Sequence, residues 1–187
     1  MRRKDREMDR SFGIGIIDRA EYGVLSMVDG DMSYGLPLSI VRSGEILYFH
    51  SAREGRKVDV LANNGNVSVV FVGNKKTPEN YTYDELEEMN GDPNKAIKFI
   101  SSVFTTEFES AIVEGVVERV EDRDEKIAAM RVICQKYTPT KMKYFDTAIR
   151  AGLDRTNVYR IGIKSITAKR KKYDEKGEEM KWGRTGV

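Results

Sequence analysis

The chain contains one histidine, His50, and it falls within the run FHSAREGRK at 49–57. Around it stand residue types that suit an anion. Ser51 brings a hydroxyl and a backbone N–H. Gly55 lets a ligand approach the backbone, and Arg56 and Lys57 add cationic donors where a helix should begin. Free N–H groups and the helix dipole both favour negative charge at such a start, so the run has the make-up of a phosphate cradle. The same charges would serve equally as a solvated helix face, and a lone histidine is commonly structural. Charge and spacing leave both readings open. A second place to look is the tail KWGRTGV, where Trp182 offers a stacking surface and Arg184 a cation; a tryptophan near a terminus also often just covers an apolar patch.

These residues need a frame to hold them. The 187 residues suffice for one domain with a substantial core, expected to span 1–187. Charged residues are 33% and hydrophobic residues 40%, an ordinary globular balance, and the net charge of +2 is too small for a nucleic-acid partner. The basic runs MRRKDR and KRKK read as solvated surface. The single cysteine, Cys134, excludes an internal disulfide and a cysteine metal site, and it sits in the apolar stripe of a helix as a small core residue. No apolar run reaches the ~18 residues of a membrane span, and the N-terminus has no signal-peptide core. A cytoplasmic location is expected.

Periodicity predicts an N-terminal helix over 4–21, then strands at 22–31, 33–41 and 46–50 that would form a meander. Pro37 cannot donate to a ladder, which places its strand at an edge or at a break. A helix follows over 53–64, with Val58, Leu61 and Ala62 inward, and a strand over 66–73. Residues 74–98 form a long surface excursion with a short helix near 83–89. A strand at 108–121 carries Gly115 at a bulge or bend. The helix at 122–139 opens on an Asp cap and ends at Pro139; a short helix is expected over 144–151 and a long strand over 157–173. Six closely spaced antiparallel strands favour a barrel, because closure removes edges. Regular strand–helix alternation and a GxGxxG are both missing, which argues against a dinucleotide-binding Rossmann fold.

The order of segments then carries a resemblance. YGVLSMVDGDMSYGLPLSIVRSGEILYFHSAREGRKVDVLANNGNVSVVFVG at 22–73 resembles the pyridoxamine 5′-phosphate oxidase-like FMN-binding split barrels, in the branch that includes nitroimidazole-resistance proteins. In that branch a strand ending Tyr-Phe-His-Ser-Ala leads into a Gly-x-Lys helix start, as at 48–57. FESAIVEGVVERVEDRDEKIAAMRVICQKYTP at 108–139 and VYRIGIKSITAK at 158–169 are similar to later segments of the family, though the last ends Ala168-Lys169 where Gly-Lys is usual. The resemblance implies a mainly β fold with helices, a six-stranded antiparallel split β-barrel. It implies a homodimer with FMN at the subunit interface and a small-molecule substrate. On that model the backbone of Pro37, Leu38, Ser39 and Ile40 lines the flavin ring. His50, Ser51 and Ala52 lie near the ribityl chain and phosphate. Arg56 and Lys57, entered through Gly55, bind the phosphate, with Ser110, Trp182 and Arg184 as further contacts. His50 is the candidate catalytic residue of an FMN-dependent reductase or oxidase acting on a nitroaromatic or a pyridoxamine-phosphate-like compound. The tail lacks the Arg-Leu-x-x-Arg type motif of true pyridoxamine phosphate oxidases, which speaks against that substrate. The alternatives are a non-catalytic carrier of flavin or haem on the same barrel, or a cofactor-free dimer.

Overall fold

The structure, a computed structural model, describes residues 2–175 and 177–181. Its strands are β1 (Glu7–Met8), β2 (Gly23–Asp29), β3 (Met32–Leu38), β4 (Val41–Ser43), β5 (Ile46–Ala52), β6 (Asn66–Lys76), β7 (Glu107–Arg119) and β8 (Thr156–Lys171). Its α-helices are α1 (Arg10–Arg19), α2 (Arg56–Asn63), α3 (Tyr83–Asn90), α4 (Ala96–Lys98), α5 (Arg123–Tyr137) and α6 (Phe145–Gly152). The strands join in one antiparallel sheet in the order β3-β2-β6-β7-β8-β5-β4, with β1 paired to the far end of β8. No described helix is long and apolar enough to cross a membrane.

The sheet curls because the chain forces its edges together. β3 ends one edge at Leu38 and β4 begins the other at Val41. Three Cα–Cα steps separate them, so the two edges approach within about 11 Å. The pairing does not close across the gap, and the result is a split barrel. The expected meander of the first three strands is therefore corrected. β2 and β3 make a hairpin through Gly30-Asp31, but β4 and β5 form a separate hairpin at the opposite end of the strand order. Sequence proximity suggested neighbouring strands; the crossing at 39–40 sends the chain over the seam instead. Pro37 lies on the edge strand, where its missing N–H leaves no gap in the ladder.

One face of the curled sheet points inward. Leu25, Leu47, Phe49, Val69, Phe71, Val113 and Ile161 are fully buried there. At one end the interior is covered by α1, whose Ile16 and Ile17 join the core. At the other end stands α2, which buries Val60 and Leu61. The expected inward residues Val58 and Ala62 are half-buried and exposed respectively, since the helix presents its middle to the barrel. α1 is shorter than the expected 4–21 helix. Asp9 accepts from Phe12 N at 2.7 Å and caps it at Arg10, while Glu7 and Met8 pair as a strand with Lys169 and Ala168. α5 packs on the outside of β5 and β4 through Ala129 and Ile133, and its Asp122 cap accepts from Glu125 N at 2.7 Å. Cys134 is half-buried in that helix. The bulge expected at Gly115 is present: the β7–β8 register shifts between Glu114 and Gly115 and leaves Lys164 without a partner across the ladder. A Cβ at Gly115 would lie 2.5 Å from the Gly162 carbonyl oxygen, so only glycine lets the strands meet there.

Candidate functional site

The seam between the two sheet edges is lined by backbone. On its β3 side, edge residues up to Leu38 have a lateral face with no partner strand. On its β5 side, pairing with β4 stops at Val41↔Tyr48, and residues 49–52 run on beyond it. Inward and outward residues keep alternating from exposed Pro37 through half-buried Leu38, exposed Ser39 and buried Ile40. Carrying the β4–β5 register on by two residues sets Ser39 across from His50. The slot thus offers N–H and C=O groups, which suit the polar edge of a flat heterocycle. Ile40 contributes less than its neighbours. Its side chain is fully buried, and its carbonyl accepts from the Tyr137 hydroxyl at 2.8 Å and from Lys136 Nζ at 3.3 Å.

At the α2 end of the seam the basic residues gather. Gly55 is the N-cap of α2, with φ of 118°, a backbone conformation that favours glycine. It supplies no side-chain cap, so the N–H groups of Arg56 and Lys57 have no side-chain partner among the described residues, while Val58 N donates to the Gly55 carbonyl at 2.8 Å. A Cβ there would meet nothing within 4 Å; the residue is needed for its backbone angle, and the space in front is open. Lys57 is half-buried, and burial lowers its pKa. Among the described residues no carboxylate forms an ion pair with it. His50 stands on the outer face of β5 in contact with solvent. The protein crowded around its ring and then the Lys57 ammonium both hold its pKa below the usual histidine value. A half-buried cation without a counter-ion, beside an uncapped helix start, is a place that gains from an incoming anion.

Arg56 is engaged differently. Its Nε donates to Asp29 Oδ2 at 2.8 Å, and its guanidinium lies 4.3 Å from the centre of the Tyr34 ring. It reaches across the seam to the β2–β3 hairpin and ties the two edges together. Asp29 and Tyr34 escaped the sequence reading because they lie more than twenty residues from Arg56, with no local signal linking them. Asn157 escaped it too. Buried on β8, it donates through Nδ2 to the carbonyls of Ala52 and Arg53 at 3.3 and 3.2 Å and fixes the turn that presents Gly55. Ser51 is buried, and its hydroxyl donates to the Ala52 carbonyl at 2.6 Å, so it serves the turn. Ala52 is exposed beside it.

The structure separates Ser110 from this group. Ser110 pairs with Lys169 and His50 with Val158, eleven residues apart on β8, roughly 35 Å of strand. One small ligand cannot touch both within a single chain. Ser110 and Pro37 instead share the outer sheet face with Val28 (52% exposed), Val72 (51%) and Ile112 (37%), an apolar surface dotted with small residues. Trp182 and Arg184 lie outside the described residues.

Comparison with known proteins supplies the frame for this geometry. A family model described as pyridoxamine 5′-phosphate oxidase matches residues 14–85 and 92–170. No curated protein matches the chain. Among solved structures, a candidate 5-nitroimidazole antibiotic resistance protein from Bacteroides thetaiotaomicron superposes with a TM-score of 0.65 at 24% identity, covering 88% of this chain and 86% of that one. An FAD-binding protein from Mesorhizobium loti gives 0.57 at 16% identity, with 88% and 96% covered. An FAD and haem binding protein from Mycobacterium smegmatis gives 0.67 at 14%, with 89% and 73% covered. At these identities the likeness establishes a shared fold.

Proposed function

Because this chain belongs to the pyridoxamine 5′-phosphate oxidase family, we propose that it is a flavoprotein that binds FMN along the seam and uses it as an oxidoreductase. The observation that carries this reading is Lys57: a half-buried ammonium without an ion pair among the described residues, beside the uncapped start of α2, at the end of a slot of unpaired backbone. Its donor set fits FMN. The phosphate takes Lys57, the first N–H groups of α2 and, if Arg56 shares itself with Asp29, a guanidinium. The flat ring takes the backbone of Pro37, Leu38 and Ser39, with Ile40 contributing its N–H at most. His50 and Ala52 border the chain between ring and phosphate.

Bound flavin would supply the electron or hydride transfer; the protein's part is to place it and shield it. His50, whose pKa is held down by the protein crowded around it and then by Lys57, is a group able to accept or donate a hydrogen bond beside the ribityl chain or a substrate. The apolar outer face with Val28, Val72 and Ile112 is the surface on which a second copy would cover the flavin, in a homodimer. A nitroaromatic is the substrate class we favour, since a structural neighbour bears the name of a 5-nitroimidazole resistance protein. A non-catalytic carrier of flavin or haem is the second reading, favoured by the single solvent-facing imidazole of His50, which a haem iron would accept as ligand.

Purified protein is expected to be yellow and to release FMN on denaturation. Steady-state oxidation of a reduced nicotinamide with a nitroaromatic as acceptor separates enzyme from carrier. Colourless protein that takes up neither added FMN nor added haem refutes both readings.

A further inference from the structure

The link between the two sheet edges is held from outside the barrel. Ser39 and Ile40 join β3 to β4 and belong to neither strand, so no ladder fixes them. Two donors from the last turn of α5 do so instead. The Tyr137 hydroxyl donates to the Ile40 carbonyl at 2.8 Å, and Lys136 Nζ donates to the same oxygen at 3.3 Å. A carbonyl oxygen has two lone pairs, and here both are taken. Lys136 also donates at 3.2 Å to the carbonyl of Ile17, in the last turn of α1, where backbone acceptors lack helical partners. Three elements therefore meet on one half-buried ammonium: α1, α5 and the link. Among the described residues Lys136 forms no ion pair, and the nearby Asp18 carboxylate is held by Arg42 through hydrogen bonds of 2.9 and 2.7 Å. The ammonium is spent on backbone. On the other side of the link the Ile40 side chain is fully buried. A planar peptide whose oxygen is held outside and whose side chain is held inside has no freedom to rotate.

We propose, on the reading that a flavin ring lies along the seam, that Tyr137 and Lys136 are positioning residues of that slot. Both are committed to the Ile40 oxygen, so they act through the backbone. Ser39 stands one residue before the held peptide, and Pro37 and Leu38 precede it on the same edge, which is paired on one side only. Where Ile40 is held sets how far that edge stands from β5, and with it the gap open to a planar ring. Hydrogen bonds from this backbone to a ring weaken steeply once distance and angle drift. Freeing the link should therefore be felt by the ring and leave the phosphate position at the start of α2 unaffected.

Tyr137→Phe keeps the ring and removes only the donor; Lys136→Met keeps the stem and removes the charge. Fluorescence titration of the full chain with FMN and with riboflavin tests the pair. Each variant is expected to weaken both flavins about threefold, and the double variant at least about tenfold, because either donor alone still holds the oxygen. The preference for FMN over riboflavin should stay as in the wild type, and the visible absorption bands of the bound flavin should shift. Ala129→Gly, a destabilising change elsewhere in α5, should lower the melting temperature without moving those bands. In flavin-free protein, amide hydrogen exchange at 39–41 should quicken in the double variant while β6 and β7 stay protected. Four results would overturn the proposal. Unchanged affinity and spectrum in the double variant would remove Tyr137 and Lys136 from the slot and leave the flavin reading standing. The same spectral shift in Ala129→Gly would reduce their role to general stability. Weaker FMN binding with riboflavin untouched would place the effect at the phosphate. A wild type that binds neither flavin would overturn the flavin reading, and this role with it.

Discussion

Lys57 and Arg56 are adjacent in the chain but face different competitors. Among the described residues Lys57 has no counter-ion, so a phosphate there gains the whole of a charge-assisted hydrogen bond. Lys57→Ala is expected to weaken FMN binding by about 1.5–3 kcal/mol, read from titration of flavin fluorescence. Arg56 must share itself with Asp29, so Arg56→Ala should cost only about 1 kcal/mol, and Asp29→Asn should tighten binding by releasing the guanidinium. His50 predicts a pH effect. Its folded pKa lies below the unfolded value of about 6.5, so below that pH the unfolded chain binds more protons and folding stability declines. Denaturant midpoints should therefore fall from pH 7 to pH 5 more for the wild type than for His50→Gln. Equal declines would mean that crowding and Lys57 do not oppose the imidazolium. At this scale the sequence was informative where neighbours in the chain are neighbours in space, as across Gly55, Arg56 and Lys57. It was silent where partners come from other strands: Asp29 and Tyr34 on Arg56, and Asn157 beneath the turn.

Among elements, the caps, turns and bulges were the most legible features, because each is set by one or two residues. Asp122 caps α5, Gly115 marks the β7–β8 bulge, and Pro37 lies on an edge strand. Gly115→Ala should destabilise the fold by about 1–3 kcal/mol in chemical denaturation, because its Cβ would strike the Gly162 carbonyl and force the strands apart. An unchanged midpoint would mean the bulge tolerates a side chain. Strand pairing was far less legible. Three successive strand signals looked like a meander, yet the short 39–40 link carries the chain across the seam and splits them between opposite edges. Alternation of apolar residues tells which face of a strand is buried and says nothing about which strand lies beside it. For the same reason Ser110, which resemblance grouped with His50, stands far along the sheet from it.

At the scale of the whole molecule, the curled sheet buries one face and leaves the other with Val28, Val72 and Ile112 largely open to water. If a second copy covers that face and closes over the flavin, Val72→Glu with Ile112→Lys should shift light-scattering mass from dimer to monomer and weaken flavin retention together. Loss of one without the other would separate the interface from the site. On the proposed reading, the seam holds a flavin by its phosphate at Lys57. Comparative titration with FMN and riboflavin, which differ only by that phosphate, tests it most directly. The wild type should prefer FMN at least about tenfold, and Lys57→Ala should abolish most of that preference while leaving riboflavin binding unchanged. Equal affinity for the two flavins, or a preference that survives Lys57→Ala, would contradict the account.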